Sequence, residues 1–482
     1  PGIHRLTVTG ERSGLETTTN PVVCRDDDTT PTFWGDLHGQ SEETVGTGTI
    51  RDYFQFAREA GFLDFAAPAN HDFQLSDAFW AEIQTAVDDF HAPESFVTFL
   101  SYEWSANTPA GGDHNVYFRG DTAEIQRVSN WMVDDGEPGH TGGVYPIEAL
   151  YDHFEGRDDV LIIPHQGGRP ASLDVLEPEL TPFIEMISLW GVFEWFAHEA
   201  LDRGYPVGFV GGSDDTTGRL GANYPPNNDW YNIKGGLMAA RADALTRDAL
   251  WAAFTERRVY ATTGARILLE VQVADAAMGG EVAVDGPPEV EVSVNGTAPL
   301  RRIDLYRGSD RVSTRDLTSG TDIVELAWTG LASKSREKSV DWSGELSLDG
   351  GRIESVEAFG FDSPVQGIDS SSETGIGWTG FTSGNTQGVR LDLDAPDDAI
   401  LAIATEQGST SLRLGDLDAD HVISAGHLNK QLVIRRTGRG TTLDTSESFT
   451  DERISPGTHP YYVKVSQVDG ETAWSSPVFV TY

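Results

Sequence analysis

Five short apolar runs in the first half of this chain each end in a histidine, a glutamate or an aspartate. The first is Phe33-Trp34-Gly35-Asp36-Leu37-His38-Gly39-Gln40-Ser41, in which apolar residues lead into a carboxylate and an imidazole before a glycine breaks the run. The others are Phe65 to His71, Phe96 to Glu103, Val160 to His165 and Val207 to Asp214. A fully buried strand is a short apolar run, and in an α/β barrel the chemistry sits at the carboxyl ends of the strands. Five strand ends that each carry a metal-type ligand predict one metal site at one end of a barrel.

Between these runs the apolar spacing becomes helical. Tyr53, Phe54, Ala57 and Ala60 predict a helix over Ile50–Ala60, stopped by Gly61 and followed by a strand over Asp64–Ala69. Leu245, Leu250, Ala253 and Phe254 predict another helix over Asp243–Arg257. Strand and helix in alternation imply parallel pairing. Beyond Ile267 the texture changes to short alternating runs, such as Glu289 to Val294 and Tyr461 to Gln467, separated by Gly, Pro, Asp and Asn. A chain of 482 residues is too long for one ordinary core. The expected fold is therefore α/β: a β/α barrel over residues 1–268, then an all-β sandwich domain over 269–482. A Ser-, Gly- and Asp-rich stretch, roughly 335–430, marks an insertion or second β unit.

The charge balance narrows the setting. Against 76 acidic residues stand 34 basic ones, a formal net charge of -42, and the only lysines are Lys234, Lys334, Lys338, Lys430 and Lys464. Such a composition suits a protein folded in concentrated salt, where self-repulsion is screened; an acidic protein of ordinary salt is the alternative. The acids are spread among aromatics, which argues against a disordered tail. Nucleic acid is not an expected partner, because phosphate binding needs basic clusters. Cys24 is the only cysteine, so no internal disulfide and no multi-cysteine zinc site is possible. No run is long and apolar enough to span a membrane, and no leader pattern opens the sequence. A high-salt cytoplasm fits, and secretion is left open. Of 12 histidines only His421, His427 and His459 follow residue 268, so the chemistry is expected in the first domain.

Asp36-Leu37-His38-Gly39-Gln40-Ser41, followed by Gly46 and a helix, resembles the opening motif of the PHP (polymerase and histidinol phosphatase) superfamily. More closely, the chain resembles a PHP-like family of uncharacterised function in which a metal-binding barrel precedes a β-rich region. Phe33 to Ser41, Tyr102-Glu103-Trp104-Ser105, Arg257 to Arg266 and Ala473-Trp474-Ser475-Ser476-Pro477 carry that resemblance, which covers all but roughly residues 335–430. It implies a PHP-like distorted barrel, two or three divalent ions, and hydrolysis by a metal-activated water, usually of phosphate esters. Position by position, it implies that His38 is the first histidine of the opening pair and that Gln40 stands in place of the second. His71 follows the second strand, with Asn70 replacing the usual aspartate. Glu103 matches the carboxylate that bridges two metals, and His114 and His165 the histidines of the second metal. Asp214 matches the late aspartate, with Thr216 replacing its histidine.

Two ions, Mn or Zn, are expected at this centre. An amide oxygen from Gln40 is a harder donor than imidazole nitrogen and pulls the preference towards Mn²⁺ relative to an all-histidine site; alternatively Gln40 binds substrate or orients a water. Asp214 is expected to bind metal, accept a proton, or both. Arg169 is the candidate for bidentate contact with a substrate oxyanion, and Arg219, Arg258 and Arg266 are weaker ones that more simply pair with carboxylates. Trp104, Trp190, Trp195 and Trp230 are core residues or aromatic walls. Glu185 and Glu194 are further acidic candidates or exposed residues, whereas His91, His140, His153 and His198 are surface or satisfied core histidines. The expected substrate is a small-molecule or saccharide ester. Hydrolysis of a sulfate, carboxylic ester or lactone, or non-catalytic binding of a carbohydrate or partner, are the competing readings. The oligomeric state is not readable.

Overall fold

Strands Thr32–Asp36, Phe65–Ala66 and Val97–Thr98 pair in parallel, joined by helices α1 (Ile50–Glu59) and α2 (Asp77–Phe90). The computed structural model describes residues 2–24, 30–129, 132–133, 143–222, 224–225, 233–332 and 338–482; His140, Trp230 and Lys334 lie outside the described residues. Helix α1 starts where expected because Thr49 and Asp52 cap it reciprocally, and its buried stripe is Ile50, Tyr53, Phe54 and Ala57. Helices α3 (Ile147–Phe154) and α4 (Glu194–Asp202) follow, and helix α5 (Arg247–Thr255) is shorter than the predicted Asp243–Arg257. Thr246 accepts from the Ala249 N–H and sets the start, so the three residues before it lie outside the helix.

Parallel pairing does not hold throughout. Strands Leu100–Ser105, Asp113–Phe118 and Val160–Pro164 form an antiparallel sheet, since the turn between the first two is too short for a crossover helix. Strands Phe183–Ser188 and Gly208–Gly211 are parallel across helix α4 (Glu194–Asp202). Leu237–Arg241 then runs antiparallel to both Thr32–Asp36 and Val259–Thr262. Apart from two antiparallel ribbons, Gly2–His4 with Val22–Cys24 and Thr7–Thr9 with Glu16–Thr18, the described strands of this half fall into three hydrogen-bonded sheets, and their ladders do not close one parallel ring.

Parallel contacts nevertheless continue past the strand ends to the level of the candidate ligands. Phe99 N–H donates to Ala66 C=O and Glu103 N–H to Asn70 C=O, which sets His71 beside Glu103. Gln40 N–H donates to Asp215 C=O and Asp214 N–H to His38 C=O, which sets Gly39 beside Asp215.

The second half is all strand among its described residues, apart from one short 3-10 turn. Val259–Thr262 pairs with Thr472–Ser475, so one sheet runs from the strands of the first half into Thr458–Gln467, Val478–Thr481 and Leu300–Arg307. Ser476 reinforces the junction: its hydroxyl donates to Val259 C=O and accepts from Phe209 N–H. Between Thr318 and Gly440 lie two five-stranded antiparallel sheets. They enclose their own core, which includes Trp328, Trp342, Trp378, Leu391 and Ile434. This unit docks on the first half through Val192 N–H, which donates to Ser383 C=O. No described helix is long and apolar enough to cross a membrane.

Candidate metal centre

Glu103, 1% exposed, is the hub of a buried polar cluster. Its Oε2 lies 3.7 Å from His38 Nε2 and 3.2 Å from His71 Nδ1, and its Oε1 lies 3.8 Å from His165 Nε2. Burial alone would raise its pKa, yet His71, His38 and His165 hold it well below the ordinary carboxylate range. His38, Glu103 and His165 each offer a ligand atom within 4.8 Å of the other two.

His38 is fixed from behind. Its Nδ1 lies 2.8 and 3.1 Å from the two oxygens of Glu185, and its Nε2 lies 3.2 Å from Asp214 Oδ1. Burial opposes protonation, but Asp214 and Glu185 raise the imidazole well above 6.5. A Cβ at position 212 would meet Glu185 Oε2 at 2.6 Å and His38 Cβ at 2.9 Å, so only glycine lets the backbone pass this pair. Asp214 adopts φ +53°, a left-handed conformation that aspartate tolerates better than most residues.

The imidazole nitrogens fit a cation. His38 Nε2, His114 Nε2 and both nitrogens of His165 are buried without a hydrogen-bond partner. His114 turns Nδ1 to the Gly112 carbonyl at 3.2 Å, which leaves the Nε2 lone pair bare. Burial lowers His114 to about 4 and drives His165 well below its ordinary range, so both stay neutral and able to donate to a metal. Orphaned buried lone pairs beside a carboxylate are costly in a merely structural cluster and are what a divalent ion would satisfy.

Gln40 departs from the role of oxygen donor. Its Oε1 accepts from Thr44 Oγ1 at 2.6 Å and from the His71 backbone N–H at 3.3 Å, while Nε2 donates to Glu103 Oε2 at 2.8 Å. A backbone N–H can only donate, which fixes the amide orientation, so Gln40 positions Glu103 and its oxygen is already engaged. The pull towards Mn²⁺ inferred from that oxygen has no basis in this geometry. Asn70 likewise faces away from the cluster, accepting from Ser41 N–H at 2.7 Å and from Thr44 Oγ1 at 3.0 Å.

Arg169 is paired inward. Its Nε donates to Asp113 Oδ1 at 2.6 Å and its Nη2 to Glu103 Oε1 at 3.3 Å, with His71 Nδ1 at 3.3 Å. Burial and Glu103 push the Asp113 carboxyl up to about 8, with Arg169 pulling the other way. The other candidate arginines hold loops: Arg219 donates to Pro225 C=O, Arg258 to Arg241 C=O and Arg266 to the carbonyls of Gly61 and Phe62. Trp104 is fully buried and donates to Val144 C=O, and Glu194 is paired with Lys464 and the Trp474 indole.

The model of the family described as "Protein of unknown function (DUF3604)" matches residues 7–167 and 206–279. His38, Glu103, His114, His165 and Asp214 lie within the matched segments, and Arg169 and Glu185 fall between them. An uncharacterized protein of Chlamydia trachomatis is 25% identical over 350 residues, 65% of this chain and 54% of that protein. One from Chlamydia pneumoniae is 25% identical over 346 residues, 65% of this chain and 53% of its own length. The chain thus spans about half the length of the curated relatives it matches. A solved two-domain protein from Bacteroides vulgatus, described as containing a predicted PHP-like metal-dependent phosphoesterase, is similar at 12% identity with a TM-score of 0.35. That alignment covers 82% of this chain and 98% of the other.

Three residues at the site lie off the predicted strand ends, and of these only Glu185 is among the acidic candidates of the sequence; it is buried, not exposed. Glu185 is the one charge in the buried strand Phe183–Ser188, and that isolation is a signal in itself. Asp113 opens its strand one residue before His114. Lys338 comes from the second half, where no site residue is expected: its ammonium donates to the carbonyls of Gln166 at 3.1 Å and Gly167 at 2.5 Å, directly after His165. Trp190 and Phe193 lie 5.1 and 5.2 Å from that ammonium. Burial lowers Lys338 to about 8, against the pull of Asp113 and Asp214.

Proposed function

We propose that this chain is a divalent-metal-dependent hydrolase that cleaves a phosphoester of a small molecule or saccharide. The observation that carries this reading is the buried cluster of His38, Glu103 and His165, whose ligand atoms lie within 4.8 Å of one another and in which both His165 nitrogens have no hydrogen-bond partner. His38, Glu103 and His165 would hold one cation, and His71, 3.2 Å from Glu103 Oε2, and His114 would be donors for a second. A divalent cation bound there supplies Lewis acidity and lowers the pKa of water. Glu185 orients His38 and fixes which of its nitrogens faces the cluster. Asp214 Oδ1, at 3.2 Å from His38 Nε2, is placed to take the proton of an attacking water or to join the ligands. Arg169 offsets the charge of Glu103 and Asp113 and, being 29% exposed, retains a face towards solvent where a substrate oxyanion could approach.

The test is metal analysis of the protein purified in concentrated salt, followed by an ester panel with and without added Mn²⁺ or Zn²⁺. The expected result is bound divalent metal and metal-dependent release of phosphate. A protein that takes up neither metal would overturn the reading, and turnover of only sulfate or carboxylic esters would replace the substrate class.

A further inference from the structure

Cations gather in one place in this acidic chain. A cleft of about 460 Å³ opens where α4, the hairpin Leu300–Arg307/Asp310–Asp316 and the two-sheet unit meet, and Arg301, Arg302, Arg311, Arg435 and Lys464 line it. Its volume is that of a small-molecule site. None of His38, Glu103, His165 or Asp214 borders it, so it is separate from the metal centre.

Local carboxylates do not balance these charges. Glu325, 0% exposed, sits beneath the cleft and pairs at once with Arg301, Arg390 and Arg435. Asp304 serves Arg302 at 2.8 Å and Arg311 at 3.8 Å. Asp420 lies 3.3 Å from Arg435, and Glu194 contacts Lys464. Six cations thus face four carboxylates in a protein whose formal net charge is -42. Burial already lowers Arg301 to about 10, the mark of positive charges crowded in a desolvated place.

Several donors at the cleft are left without a hydrogen-bond partner. The Trp195 indole N–H is buried without a hydrogen-bond partner, and Trp195 lines the cleft. Arg390 Nη1 and Nη2 are likewise unpartnered, with the guanidinium 4.3 Å over the ring of Phe359, another lining residue. Tyr306 presents a ring held by stacking on Tyr462, at 4.9 Å and 8° between planes. Surplus guanidinium and indole donors call for oxyanion acceptors, and the aromatic rings suit a sugar-sized ring.

We propose that this cleft is a second binding site, for a small organic anion of mono- to disaccharide size. A carboxylate, sulfate or phosphate of the ligand meets Arg302, Arg311 and Arg435, and its ring lies against Trp195 and Tyr306. The buried donors are screened less by salt than surface charges are, so binding persists in the concentrated salt that the composition suits.

Calorimetric titration of the full chain with glucuronate, glucose 6-sulfate, glucose 6-phosphate and uncharged glucose tests this. At fixed high KCl, at least one of the three anions is expected to saturate a single site and to bind about tenfold or more tightly than glucose, a difference of about 1.4 kcal/mol. The rank order among the three identifies the anionic group. Arg311 is half exposed and its ion pair with Asp304 is long, 3.8 Å, so Arg311→Glu should fold. That variant should weaken the anion about tenfold or more while leaving melting temperature and metal stoichiometry unchanged. Trp195→Phe should abolish the ligand-induced change in tryptophan fluorescence. Glucose binding as tightly as the anions, no saturable binding by any of them, or anion affinity unchanged in folded Arg311→Glu would each overturn the proposal.

Discussion

Both carboxylate oxygens of Glu185 lie against Nδ1 of His38, at 2.8 and 3.1 Å, so that Nε2 is turned towards Glu103 and Asp214. A carboxylate behind a ligating histidine fixes ring and tautomer, and its loss costs about 10–100-fold in metal affinity. Glu185→Gln should therefore weaken divalent metal by about that factor, read by competition with a chelating dye. The amide fits the same space, so melting of the metal-free protein should move little. Unchanged metal affinity would mean that His38 does not hold the ion.

His165 and Gln40 separate ligand from positioning residue. His165→Ala removes an imidazole with two unpartnered nitrogens and should abolish stoichiometric metal uptake. Gln40→Ala removes a donor to Glu103 and the acceptor of Thr44 Oγ1 and the His71 N–H but no metal ligand, so metal should still bind, more weakly. Elemental analysis after dialysis distinguishes the two. Equal loss in both variants would return Gln40 to the ligand set.

Lys338 ties the second half to the first at the turn after His165. Lys338→Met leaves two carbonyls without their donor. An unsatisfied buried group costs about 1–3 kcal/mol, which is the loss expected in denaturant unfolding. Once a substrate is known, turnover of anionic esters should fall more than that of neutral ones. Wild-type stability in the variant would show that the contact contributes nothing.

The convergence of His38, Glu103 and His165 is legible in the sequence because each closes an apolar run, and strand ends bring such residues together. Pairing direction is not legible: an apolar run looks the same in parallel and antiparallel sheets, and only the short turn containing Gly111 and Gly112 hints at the meander. Glu185 is legible as an acidic candidate, a lone carboxylate in Phe183-Ile184-Glu185-Met186-Ile187-Ser188, but its place behind His38 is not. Lys338 is not, because its distance along the chain from Gln166 and Gly167 carries no local pattern. The basic cleft is also hidden, since its arginines are scattered from Arg301 to Arg435 and meet only across three units.

The excess of carboxylates is expected to make stability depend on salt. The Debye length is about 3 Å near 1 M and about 10 Å at 0.1 M, so repulsion among surface acids grows on dilution. Melting temperature should fall steeply between those conditions, with metal held saturating. A curve that does not move would reject adaptation to salt.

Glu325 adds an acid-sensitive element away from the metal centre. Burial would raise its carboxyl, but Arg301, Arg435 and Arg390 hold it below the ordinary 4.5. A carboxylate depressed in the folded state contributes stability that is present above 4.5 and lost as pH falls through the folded value. Glu325→Gln should thus be less stable near neutrality by about 3 kcal/mol or more, because three guanidiniums lose their shared counter-charge. Its stability should also decline less than that of the wild type as pH is lowered below 4.5. Chemical denaturation at pH 7 and at successively lower pH reads both effects. If the two proteins lose stability in parallel across that window, the three arginines do not depress Glu325, and the charge balance drawn for the cleft is wrong.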